Sequence, residues 1–119
     1  MTYGFMMMKP RVEIRSAADI DEPALLKQEP EKVKSALSAM LPALAWREEA
    51  GGGWFGSFDG DDGWYEFRIG SEPDYIWGVQ TSHRASTRKL IGEICRELGL
   101  IAFDGQAGMI IDANGERPA

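Results

Sequence analysis

Two helical stripes stand out in the order of apolar and polar residues. From Glu31 onward, Val33, Leu37, Met40, Leu41 and Leu44 recur at helical spacing, while Glu31, Lys32, Lys34, Ser35 and Ser38 take the remaining surface. Pro42 has no amide donor and crowds the turn before it, so this helix is predicted to end or kink near Leu41. The second stripe is Leu90, Ile91, Ile94, Cys95 and Leu98, with Ser86-Thr87 expected as its N-cap and Gly99 as its stop.

The remaining segments read as strands. Arg11-Val12-Glu13-Ile14-Arg15 alternates polar and apolar residues and predicts a half-buried strand with Val12 and Ile14 inward. Residues 17–30 have no clean period and read as a connector, with Asp21-Glu22-Pro23-Ala24 suited to a short helical turn. Beyond Ala50-Gly51-Gly52-Gly53, strands are expected over 54–58, 64–69 and 75–80 as an antiparallel meander. Apolar runs at 100–103 and 109–111 flank Asp104-Gly105-Gln106-Ala107-Gly108, a hairpin-type loop. The predicted order is β-α-β-β-β-α-β-β, an α+β fold in which two helices pack on one face of a mostly antiparallel sheet. No internal repeat or second boundary interrupts it, so residues 1–119 read as a single domain.

Composition narrows the class. At 44% apolar and 27% charged residues the chain has ordinary globular proportions. No stretch reaches the roughly 18 apolar residues of a spanning helix, and Phe5-Met6-Met7-Met8 is too short for a signal-peptide core. Cys95 is the lone cysteine, so no intramolecular disulfide forms and a reducing cytoplasm is the expected compartment. A net charge of −6 argues against nucleic acid, whose binders concentrate Lys and Arg on the phosphates. The charge is uneven: residues 16–62 hold ten acids and four bases, whereas residues 82–100 hold four bases and two acids. Such asymmetry orients a charged partner.

Candidate chemistry is sparse. Gly51-Gly52-Gly53 lacks the Gly-Lys-Ser/Thr ending of a phosphate loop. Counted from Asp59, a calcium loop wants Gly at the sixth place and Glu at the twelfth, where this chain has Trp64 and Gly70. Cys95 aligns with Ile91 and Leu98 as a buried thiol, and His83, the only histidine, has no nucleophile in a diagnostic context. No catalytic residue, metal or cofactor is assigned.

Two binding readings follow, with an assembly reading beside them. Four tryptophans punctuate the chain, and Trp64 differs from Trp46, Trp54 and Trp77 in sharing a strand face with Glu66 and Arg68, opposite Tyr65, Phe67 and Ile69. Beside it lies the acidic turn of Asp59, Asp61 and Asp62. Together they suggest a non-catalytic protein-interaction domain that meets a basic protein, with an immunity or antitoxin-like inhibitor as one concrete form. The alternative gathers His83, Arg84, Arg88 and Lys89 at the start of the second helix as a small-anion site, with His83 as a proton carrier if it is an enzyme. The assembly reading is a homo-oligomer that covers its exposed aromatic face.

Overall fold

A computed structural model describes residues 2–82 and 84–119, the side chains of residues 84–86 excepted. The first strand, β1 (Tyr3–Pro10), lies in the middle of the sheet and not at its margin. Two short 3-10 turns at Ala17–Asp19 and Glu22–Ala24 lead to β2 (Leu25–Leu26), which pairs with the end of β1, and then to α1 (Pro30–Met40). The chain continues through β3 (Ala45–Glu48), β4 (Trp54–Gly60), β5 (Gly63–Ile69) and β6 (Ile76–Thr81). After α2 (Arg84–Leu98) come β7 (Ile101–Asp104), β8 (Met109–Asp112) and β9 (Gly115–Pro118).

All pairings are antiparallel, and the spatial order is β3-β4-β5-β6-β1-β7-β8-β9. Because β6 and β7 both run antiparallel to β1, they are parallel to each other, and α2 carries the chain across the strand between them. The fold is therefore α+β with two helices and a nine-stranded antiparallel sheet among the described residues.

The helices cover one face of the sheet, called inner here. Val33 and Leu37 of α1 and Ile91, Ile94 and Cys95 of α2 pack with Phe5, Met7, Tyr65, Phe67, Trp77 and Val79. Pro30 suits the first turn of α1, where an amide donor has no partner, and the helix stops at Leu41, whose N–H reaches Leu37 O, one residue before Pro42. Helix α2 ends as expected at Gly99, whose φ of 68° lets the Leu100 N–H return to Cys95 O. It starts at Arg84, before the expected cap, which leaves Thr87 buried within the helix with its hydroxyl 3.1 Å from that of Thr81.

The opposite, outer face is covered only in part. Ile14, Ala24 and Leu25 close over Met8, Ile101 and Ile110 to form a second apolar cluster. Arg117 fastens this cover by donating to Ile14 O and pairing with Asp112.

The expected strand at residues 11–15 is corrected here. Those residues are irregular, with Ile14 buried but Val12 54% exposed. The central strand is β1 instead, where Phe5 and Met7 are buried on the inner face and Met8 on the outer one, while Met6 stays exposed, so its apolar run does not alternate. Strands β2, β3 and β9 add to the predicted set, and Gly51-Gly52-Gly53 lies in the turn between β3 and β4.

Candidate protein-binding face

The hairpin of β4 and β5 turns through Asp61 and Asp62, with Gly60 opposite Gly63. That tight turn sets the register: Asp59 faces Trp64, Ser57 faces Glu66, and Phe55 faces Arg68. On the next strand Gln80 lies opposite Glu66 and Gly78 opposite Arg68. Alternation along each strand therefore gathers Trp64, Glu66 and Arg68 on the outer face, as the sequence predicts, and adds Asp59, which the sequence reading assigns to the turn.

Among the described residues no helix covers this part of the sheet. Trp64 and Glu66 are half-buried, and Asp59, Asp61 and Arg68 are exposed. A methyl group added to Gly78 would meet no atom within 4 Å, so the surface above β6 is open. Met6, beside Gly78, is 41% exposed, and Ile76 is 40% exposed.

The face has two unlike ends. Toward β3, the guanidinium carbons of Arg47 and Arg68 lie 4.4 and 5.2 Å from the centre of the Phe55 ring, so an aromatic ring is clamped between two cations. Toward the hairpin, Asp59 lies opposite Trp64, Glu66 follows on the same face, and Asp61 is exposed in the turn. Asp62 is set apart from them: its carboxylate accepts a 2.8 Å hydrogen bond from the Tyr65 hydroxyl. Burial, reinforced by that bond and the charge of Asp62, raises the Tyr65 pKa well above its ordinary value. Asp62 thus anchors the turn, while Asp59 and Asp61 are its exposed acids.

Arg47 and Phe55 escaped the sequence reading because no strand was expected around Arg47. The signal was present in the tight Asp61-Asp62 turn, since pairing Gly60 with Gly63 brings Phe55 opposite Arg68.

The alternative anion group divides differently. His83 and the side chain of Arg84 lie outside the described residues. Arg88 is already occupied: it donates to Asp104 at 2.6 Å and pairs with Glu116. Burial alone would lower its pKa, but the bonds to Glu116 and Asp104 outweigh that and raise it. Lys89 is exposed. Asp104 in turn accepts the N–H groups of Gln106 and Ala107, each at 3.1 Å, and so forms the expected side-chain turn.

Cys95 is 1% exposed and lies 3.6 Å from Ile111 O, and burial, with a smaller contribution from Asp112, pushes its pKa up to about 12. Among the described residues no cluster of three or more His, Cys, Asp or Glu side chains is placed to hold a metal ion. No helix of those residues is long and apolar enough to cross a membrane. What remains is an α+β protein with one sheet face sealed by helices and the other partly open. Compared with protein-family models, with curated proteins and with solved structures, the chain matches none of them.

Proposed function

We propose that this protein is a non-catalytic interaction domain that docks a basic protein against the open outer face of β4, β5 and β6. The observation that carries this reading is the uncovered surface around Trp64, where a half-buried indole stands on the strand position opposite exposed Asp59, with exposed Asp61 in the adjoining turn. Aromatic side chains anchored in a sheet supply contact area at small entropic cost, and acids around them steer a cationic partner and fix its orientation. The net charge of −6 works in the same direction over longer range. Inhibition of a basic toxin or enzyme is the narrower form of this function.

The test is cross-linking in native lysate, followed by a direct binding measurement with the partner recovered. Asp59→Lys with Asp61→Lys reverses the charge of exposed positions and leaves the Asp62 anchor intact. Loss of binding by this folded variant, and by Trp64→Ala, is the expected result. Undiminished binding by both would remove the outer face from consideration. Sedimentation equilibrium of the purified protein separates a heterologous partner from a second copy seated on the same face.

A further inference from the structure

On the inner side of the sheet, away from the face just described, α1, the end of α2 and the β1–β2 pair enclose a cleft of about 430 Å³. Sites for small organic molecules occupy roughly 300 to 1,000 Å³, so this cleft is of suitable size. Its apolar lining comes from three elements: Leu26, Val33 and Ala36, and Leu98 with Leu100.

The charge at the cleft is informative because of where it stands. Along β1, alternation sends Phe5 and Met7 into the inner core, and the next inward position is Lys9. Its cross-strand partner Leu26 lines the same cleft and is only half-buried. Lys9 is half-buried too, whereas Lys27, Lys32, Glu29 and Glu97 around the mouth are exposed. Among the described residues neither Lys9 nor Lys32 has an ion-pair partner. Lys27 lies 5.6 Å from the centre of the Tyr75 ring and holds the rim.

An ammonium without an ion-pair partner beside an apolar floor is a ready contact for an anion, with which it forms a charge-assisted hydrogen bond. The two glutamates of the lining are both exposed. The least exposed charged residue of the cleft is therefore a lysine, it stands at the end of an apolar floor, and it occurs in a chain whose overall charge is negative.

We infer that this cleft binds an anionic amphiphile, its carboxylate or phosphate head held by Lys9 and Lys32 and its apolar body laid on Leu26, Val33 and Leu98. Buried Gln28 stiffens the wall, because its amide donates to Met7 O and Tyr75 O and accepts from the Trp77 indole N–H at 2.8 Å. The floor is thus built before a ligand arrives, which favours binding.

The experiment is a titration of the full chain, followed by amide nuclear magnetic resonance, with octanoate, octyl phosphate and octylammonium. Saturable shifts at Leu26, Gln28, Val33, Leu98 and Leu100 with the anions, and none with octylammonium, are expected. Comparison of the two anions distinguishes a carboxylate from a phosphate head. Lys9→Gln should weaken the preferred anion by about tenfold, the loss of one charge-assisted contact. Lys32→Gln, at an exposed position, serves the same purpose should Lys9→Gln fail to fold. Equal binding of octylammonium, shifts confined to the outer sheet face, or no saturable shift would overturn the proposal. Failure of the cleft proposal leaves the Trp64 reading standing, since that reading is tested by the Asp59, Asp61 and Trp64 variants.

Discussion

Arg88 of α2 and Asp104 of β7 are joined by a 2.6 Å ion pair in which the aspartate is fully buried and the arginine side chain is only 14% exposed. The pair ties the crossover helix to the strand it leads into. Replacing Asp104 by Ala removes the acceptor and leaves a guanidinium with only Glu116 to oppose it, and it frees the N–H groups of Gln106 and Ala107. A loss of about 3 kcal/mol is expected, the usual cost of breaking a buried pair from one side. Arg88→Met combined with Asp104→Leu should recover part of that loss, because apolar replacement of both partners leaves no buried charge. Urea denaturation of the three variants checks both statements. Any loss of anion binding in Arg88→Ala must be read beside this effect on folding.

The thiol of Cys95 should make stability fall in alkaline solution. An unfolded thiol ionises near its ordinary value of 9.0, the folded one only near about 12. Below the first value both states are protonated and the group contributes no slope. Between the two values the unfolded state releases its proton first and gains, so folding stability declines as pH rises, by up to about 1.4 kcal/mol per pH unit. Tyr65, also raised, adds to the decline above its ordinary value of 10.0. Urea midpoints of the wild type and Cys95→Ala, measured from pH 8 upward (about half-unit steps suffice to resolve such a slope), should diverge in slope once the unfolded thiol ionises. Native protein should also resist thiol reagents until it is unfolded.

Two glycines of neighbouring strands should respond in opposite ways to the same substitution. Gly63 has a φ of 139°, and a methyl group there would lie 2.2 Å from Ser82 Oγ, the atom that accepts the Trp64 N–H. Gly63→Ala is expected to cost about 1 to 3 kcal/mol through backbone strain and the displaced serine. Gly78→Ala meets open space and should gain about 0.5 kcal/mol by limiting the unfolded chain. Thermal melts of both variants decide the matter, and a destabilised Gly78→Ala would mean that something covers the outer face.

Much of the architecture was legible where periodicity and punctuation agreed. Val33 and Leu37 with Pro42, and Ile91 and Ile94 with Gly99, marked both helices, and the faces of β5 followed from simple alternation. The central strand was not legible in the same way. Phe5-Met6-Met7-Met8 shows no period because Phe5 and Met7 are buried on one face and Met8 on the other while Met6 stays exposed, and that burial depends on partners distant in sequence. Irregular residues 11–15 carried the alternation of a strand because Ile14 packs against the sheet from outside it. For the candidate sites, Trp64, Glu66 and Arg68 could be grouped from alternation along one strand. Lys9 could not be recognised, since its inward position has meaning only once β1 is placed at the centre of the sheet. The occupation of Arg88 was hidden for the same reason: Asp104 and Glu116 reach it through tertiary pairing.

The central position of β1 also governs the order in which the chain is able to assemble. Met7 finds its neighbours in Trp77 and Ala102, so this strand, made before either of them, waits for both halves of the sheet. The β4–β5 hairpin closes locally and is free to form first, while the apolar strand Phe5 to Met8 remains unpaired until late. Long-range pairing of this kind slows folding and exposes a sticky edge meanwhile. Synthesis of this protein therefore includes an interval in which an apolar strand has no partner to pair with.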